Sequence, residues 1–373
     1  MRLTRISIFI FIIALGAVAF AELSGSFLLP LDHDAIQYAK APVDDAVSRL
    51  AQRIARGEVK LDWDEDGFGY LRSMLKALEL STDSQVLVFS KTSFQAPRIG
   101  ARTPRALYFN DRVSMGFVRG GDVLELAAVD PRQGVIFYTI DQEKTLRPRF
   151  ERRDQCLQCH QSGGTLGVPG LVVRSVYPER SGMPLFHAGT FVSDHRSPLT
   201  ERWGGWYVSG THGDVRHMGN AIVPDPDKPD QLEKDGTQNQ VDLKFKFDPG
   251  AYLAPTSDIV ALMTLEHQTR MTNLIIRVGF ETRLALHAQA AMNQARNEPS
   301  STMSDSTKRR IDLAVEEMAG YMLFQDEVAL HAKIKGISNF TQSFAARGPR
   351  DRRERSLREF DLEKRMFAIR SAT

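Results

Sequence analysis

The chain has 373 residues, 48 Lys and Arg against 46 Asp and Glu, a formal net charge of +2, and apolar and aromatic fractions of 42% and 9%. Those fractions are ordinary for a globular protein, and so even a charge balance excludes a general attraction to nucleic acid or to an anionic surface. The length exceeds one typical domain, so two or three lobes sharing a core are expected.

Residues 1–21 carry Arg2 and Arg5, an apolar run from Ile6 to Phe20 and the small-residue site Ala19-Phe20-Ala21 before Glu22, which is the pattern of a secretory signal. The apolar run of about 15 residues falls short of the roughly 20 that a spanning helix needs. Removing its two arginines brings the formal charge to 0. The expectation is a periplasmic protein with no stable membrane span after signal removal.

Residues 22–150 read as a small α+β lobe. After a loop through Pro30 and Pro42, Val47, Leu50, Ala51 and Ile54 make an i, i+3, i+4, i+7 stripe, with Asp44 or Asp45 at its start and Gly57 at its stop. A second short helix is predicted over 70–78. Strand signals follow at 85–90, 105–110, 113–118, 123–129 and 135–140, separated by Asn110-Asp111, Gly120-Gly121 and Asp130-Pro131 among other turn residues. Connections this short predict antiparallel pairing, because parallel strands need long crossovers.

Residues 156–160 read Cys-Leu-Gln-Cys-His, and Cys156 and Cys159 are the only two cysteines in the chain. This is the attachment signature of a c-type haem. Thiols one helical turn apart can each form a thioether with a vinyl group on one edge of a porphyrin, and the adjacent His160 reaches the iron. A redox dithiol belongs in a thioredoxin-like βαβ setting that is missing here, a zinc site needs four ligands, and a disulfide across so short a loop is geometrically poor. Arg147, Arg149, Arg152 and Arg153 lead in, either as solvated charges or as partners for haem propionates. The glycines at 163, 164, 167 and 170 follow, giving a loop whose backbone can approach a flat ligand closely.

Two of the three tryptophans lie in Trp203-Gly204-Gly205-Trp206-Tyr207, a cluster that suits a porphyrin pocket and a β-hairpin core equally. Residues 224–250 read as an exposed excursion; Asp225, Asp227, Asp230 and Asp235 lack the spacing of a calcium loop. A long helix capped by Thr256, Ser257 or Asp258 is predicted to run to about residue 293, followed by a helix over 305–331. From 347 the mixed charges predict a solvated helix or tail. The resulting α+β organisation is a signal over 1–21, a mixed antiparallel-sheet lobe over 22–150, a loop-rich haem-binding segment over 151–250 and a helical region over 251–373.

At Cys156, Cys159 and His160 the chain resembles the c-type cytochromes, over the haem-binding segment only. The resemblance implies one covalently attached haem c, with thioethers at Cys156 and Cys159 and His160 as the proximal ligand. Many members have a Gly-Pro segment after the motif whose backbone carbonyl orients the proximal ring. The similar stretch here is Val168-Pro169-Gly170, in a different order. Small cytochromes place a helix before the motif and a methionine after it, whereas this chain has strands and arginines before it and a larger body. Di-haem peroxidases carry two such motifs; this chain has one.

Met183, His187, His212, His217, Met218, His267 and Met271 are the candidates for the sixth iron position. His217 leads through its glycine-rich, aromatic-flanked segment, and His267 through the helix face it shares with Val260, Met263, Met271, Leu274 and Val278. A ligated sixth position implies an electron carrier between periplasmic redox partner proteins, and this reading ranks first. An open one implies a haem-dependent oxidoreductase or peroxidase-like enzyme, with His217 or His267 as acid or base and Arg174 or Arg270 stabilising negative charge. A haem-based sensor is the third reading.

Overall fold

The computed structural model describes residues 28–368, so the signal expected at 1–21 lies outside the described residues. The first stripe forms helix α1 (Ala46–Ala55). Asp45 caps it, accepting from the Val47 and Ser48 amides at 2.8 and 2.9 Å while the Ser48 hydroxyl accepts from the Asp45 amide. Such a cap contributes about 1 kcal/mol. The second Asp45 oxygen accepts from the Tyr138 hydroxyl at 2.6 Å and ties the helix start to the sheet. Helix α2 (Leu71–Ala77) follows.

The five expected strands form as β1 (Val86–Val88), β2 (Arg105–Phe109), β3 (Val113–Phe117), β4 (Val123–Asp130) and β5 (Gly134–Asp141), each antiparallel to the next. A short β6 (Phe150–Arg152) extends the meander beyond β5. The chain then makes α3 (Leu157–His160), the separate hairpin of β7 (Arg174–Val176) and β8 (Thr190–Val192), and β9 (Trp206–Tyr207). Strand β9 pairs with β1 and closes a seven-stranded sheet in the order β6-β5-β4-β3-β2-β1-β9. The fold class is thus α+β.

Period-two alternation gives the sheet two faces with different cover. Leu124, Leu126 and Ala128 of β4, with Ile140, Tyr138 and Ile136 opposite them on β5, enter one core with Val47 and Leu50 of α1 and Leu71 and Met74 of α2. The other face carries Glu125 and Ala127, opposite Thr139 and Phe137. It receives the segment around residues 160–171 and helix α4 (Ile259–Arg296). The larger core draws residues from Ile36 to Leu284, so all three expected segments contribute to it.

At 38 residues, α4 is about 57 Å long. Asp258 caps it, and Asn297 ends it in the left-handed region at φ +53°. Ile259 through His267 are all buried, so its first turns are enclosed on every side instead of showing a single apolar stripe. Helix α5 (Asp305–Met322) packs against it through Arg310–Glu281 and Arg277–Glu317 ion pairs of 2.6 and 3.1 Å.

Three expectations are corrected. Helix α5 stops at Met322, short of residue 331, because Phe324 and Asp326 take left-handed conformations and the Phe324 ring turns in to stack on His267 at 4.5 Å. After α6 (Phe340–Ala346), the charged segment from 347 is no solvated tail: Arg358, Met366 and Phe367 are buried, and Arg358 lies over the Phe344 ring at 4.3 Å. The excursion at 224–250 is anchored by buried Leu232, Leu243 and Phe247. Trp203 and Trp206 belong to the core, with Gly204 so close to the Val176 carbonyl that a Cβ would meet it at 2.1 Å. No helix among the described residues is long and apolar enough to cross a membrane.

Candidate haem-attachment site

Strand β6 delivers the motif. Beyond it the Arg153 amide still donates to Phe137 O at 2.8 Å and its Nε to Thr139 Oγ1 at 2.9 Å, holding the chain on β5. A 3₁₀ turn at Asp154–Cys156 then runs into α3, so Cys156 and Cys159 sit one turn apart with His160 next in line. Cys156 is half-buried against the first core, and Cys159 is exposed; both are free thiols. Burial, reinforced by the Glu125 charge, pushes the Cys156 thiol up to about 11. A redox dithiol needs its thiol moved the other way.

His160 is gripped by one glycine. The Gly170 amide donates to His160 O at 2.9 Å, and His160 Nδ1 is 2.9 Å from Gly170 O. A carbonyl only accepts, so Nδ1 carries the proton and Nε2 keeps its lone pair. Burial holds His160 below the usual imidazole range, helped by Arg105 and Arg174 and opposed by Gly170 O and Glu125. The ring lies 4.7 Å from Phe137 on β5.

Gly170 is itself fixed from two sides. The Val135 amide of β5 donates to Pro169 O at 3.0 Å. Asn273 of α4 accepts from the Leu171 amide at 2.9 Å and donates to Leu171 O at 2.7 Å. A Cβ at Gly170 would stand 2.3 Å from Asn273 Oδ1, so this approach requires glycine. The orienting carbonyl lies one residue beyond Pro169.

Beside this motif the sheet face carries charge. Glu125 of β4 pairs with Arg105 Nη1 at 2.6 Å and accepts from Ser93 Oγ at 2.6 Å and Gln95 Nε2 at 2.8 Å. Burial alone would raise this carboxyl, but Arg105 and these hydrogen bonds outweigh it and hold it low. The strand position between Leu107 and Glu125 is Gly116, and that missing side chain lets Arg105 cross β3. The sequence pattern does not single out Arg105, Phe137 or Asn273; for Glu125 the signal is a glutamate inside the apolar run Val-Leu-Glu-Leu-Ala-Ala-Val.

The structure brings Cys156, Cys159 and His160 together and gives the two leading distal candidates partners of their own, although His217 Nε2 is buried without one among the described residues. His217 Nδ1 accepts from the Gly219 amide at 3.0 Å, and its ring abuts Trp203 and His212. His267 is fully buried, 2.8 Å Nδ1 to Nδ1 from His195, and stacks on Tyr321 and Phe324. Its neighbour Glu266 accepts from Arg202 and from Trp203 Nε1. Met218 is buried against Ser175, and Met271 against Leu166 and Tyr321. Met183 and His187 are exposed. Of the flanking arginines, Arg152 pairs with Asp154 and Arg153 with Glu151; Arg147 and Arg149 are exposed. Arg270 pairs with Glu317 at 3.5 Å.

These residues fit a covalently held haem: one exposed and one half-buried sulfur a turn apart, and a neutral imidazole with Nδ1 occupied and Nε2 available, as second-shell orientation of a ligating histidine requires. A cavity of about 580 Å³ opens beside α3, lined by Leu29, Leu31, Tyr38, Leu157 and Gln161 among others, but it does not include the three motif residues. No family model matches this chain, and no curated protein or solved structure matches it either.

Proposed function

We propose that this chain is a periplasmic mono-haem c-type cytochrome that passes single electrons between redox partner proteins, with Cys156 and Cys159 as attachment points and His160 as proximal ligand. The observation that supports it most is the closed pair of hydrogen bonds between His160 and Gly170, which fixes the tautomer and aim of an imidazole one residue beyond two thiols. A bound haem would supply the one-electron couple. The protein's part is then positional: Gly170, held by Asn273 and Val135, orients His160, Phe137 flanks its ring, and the β5 ladder at Arg153 fixes the cysteines.

The test is the mature protein exported from cells able to attach haem c. A tetrapyrrole mass on the peptide containing residues 156–160, with low-spin visible bands, is expected. Two unmodified thiols and no tetrapyrrole mass would refute the proposal. The second reading, a haem enzyme with an open sixth position, gains from the engagement of His267 by His195 and from the half-buried Glu125–Arg105 pair, whose charges reach His160. A high-spin spectrum that changes rapidly on adding peroxide would select it over electron transfer.

A further inference from the structure

We infer that the cleft between α4 and the second face of the sheet is a binding site for a small uncharged hydroxylated hydrocarbon of the phenol class, and this site is independent of haem attachment. The fold makes room there. Phe109, Ser114, Ala127 and Phe137 pair directly across β2, β3, β4 and β5, so one row of the sheet has rings at both ends and two small side chains between them. Helix α4 lies over that row and presents Leu265, Gln268, Thr269, Thr272 and Ile275, the spacing of one helix face. A cavity of about 370 Å³ is left between them, with Ser114 and Ala127 in its wall on the sheet side. That volume is in the range of small-molecule sites.

The cavity holds a polar cluster that the protein leaves incompletely paired. Asp111 of the β2–β3 turn accepts from Gln268 Nε2 at 2.9 Å through Oδ1 and from Arg358 Nη2 at 2.5 Å through Oδ2, and all three residues line the cavity. The carboxylate and the guanidinium neutralise each other, so the cluster offers no net charge to an ion. Gln268 Oε1 and Arg358 Nε, one on each side of this carboxylate, are buried with no hydrogen-bond partner among the described residues. Arg358 is only 8% exposed, its guanidinium lies over the Phe344 ring at 4.3 Å, and a Cβ at Gly348 would stand 2.7 Å from its Cγ. Its position is therefore set before anything binds. Unmatched buried groups of this kind are costly and call for partners. Gln268 Oε1 calls for a donor and Arg358 Nε for an acceptor. A hydroxyl is both, whereas a carboxylate only accepts and an ammonium only donates. Phe109, Val129, Leu171, Leu265, Met271 and Ile275 make much of the remaining wall apolar, which calls for a hydrocarbon body on that hydroxyl.

The experiment is isothermal titration of p-cresol and of toluene, which lacks the hydroxyl, into the mature exported chain. Saturable binding of p-cresol is expected, with toluene weaker by about tenfold. Gln268→Met keeps the side-chain length, removes the acceptor and should weaken p-cresol by about tenfold. Ala127→Leu adds bulk on the sheet side and should abolish binding of both probes; urea midpoints check that each variant is folded. No saturable binding of p-cresol to wild type would overturn the site. Equal affinity for the two probes would overturn it as well, leaving an apolar void and an Asp111–Arg358 joint that serves only the fold. Unchanged binding of p-cresol in the folded variants would put the ligand elsewhere and overturn the assignment. Binding to chain made without haem but not to haem-loaded chain would overturn it in favour of the tetrapyrrole as the occupant.

Discussion

Gly170→Ala is the sharpest probe of how His160 is held. The added Cβ would lie 2.3 Å from Asn273 Oδ1, 2.9 Å from its Cγ and 3.1 Å from Thr165 Cβ. Because Gly170 is outside the left-handed region, backbone strain does not enter and the effect is steric. The Asn273 amide must move by about an ångström, which breaks both of its bonds to Leu171. Two net hydrogen bonds at about 1 kcal/mol each and an overpacking penalty of about 1–3 kcal/mol give a loss of roughly 3–5 kcal/mol. Asn273→Ala loses the same two bonds without crowding, at about 2–4 kcal/mol. In that background Gly170→Ala meets only Thr165 and should cost less than about 1 kcal/mol, leaving a coupling of about 2 kcal/mol or more. Urea unfolding of the four proteins at neutral pH measures the cycle. Equal costs of Gly170→Ala in both backgrounds would refute the account of the glycine.

Acid should weaken the fold in a definite window. Burial, with His212 nearby, holds His217 down at about 3, and burial holds His195 at about 4 against the pull of Asp194. Unfolded imidazoles bind protons from about pH 6.5 downward, so the unfolded state carries the excess protons and stability, complete above that pH, is lost as pH falls toward 4, by up to about 1.4 kcal/mol per pH unit for each histidine. His217→Gln should flatten the urea-midpoint profile over that window; an unchanged slope would contradict its burial as a neutral ring. In protein made without haem, iodoacetamide at pH 8 should modify exposed Cys159 before Cys156, whose thiol at about 11 is ionised to only about 0.1%; equal rates followed by peptide mass mapping would count against its buried setting. Asp258→Ala should cost about 3–5 kcal/mol, since the side chain caps α4 at Val260 and Ala261 and also accepts from the Ile337 amide and from the Ser338 amide and hydroxyl. A urea midpoint near wild type would rule out that junction as a stabilising one.

What was legible in the sequence was local. The α1 stripe, the five strands and the Cys-Leu-Gln-Cys-His spacing each follow from residues within a turn or a strand of one another, and the structure places those elements within a few residues of where the pattern puts them. The distal candidates show where periodicity stops. The face of α4 bearing His267 is apolar as its spacing implies, but spacing does not say what covers it, and the covering groups come from His195, Tyr321 and Phe324, 54 or more positions away in the chain. Asn273 was invisible for the same reason: it acts on Leu171 across 102 positions. The motif supplies reactive groups by covalent proximity alone, whereas their orientation comes from α4 and β5 closing on Pro169, Gly170 and Leu171. Substitutions at Asn273 should therefore disturb the His160 environment more than substitutions of Leu157 or Gln158 inside the motif, although both of those are far closer in sequence.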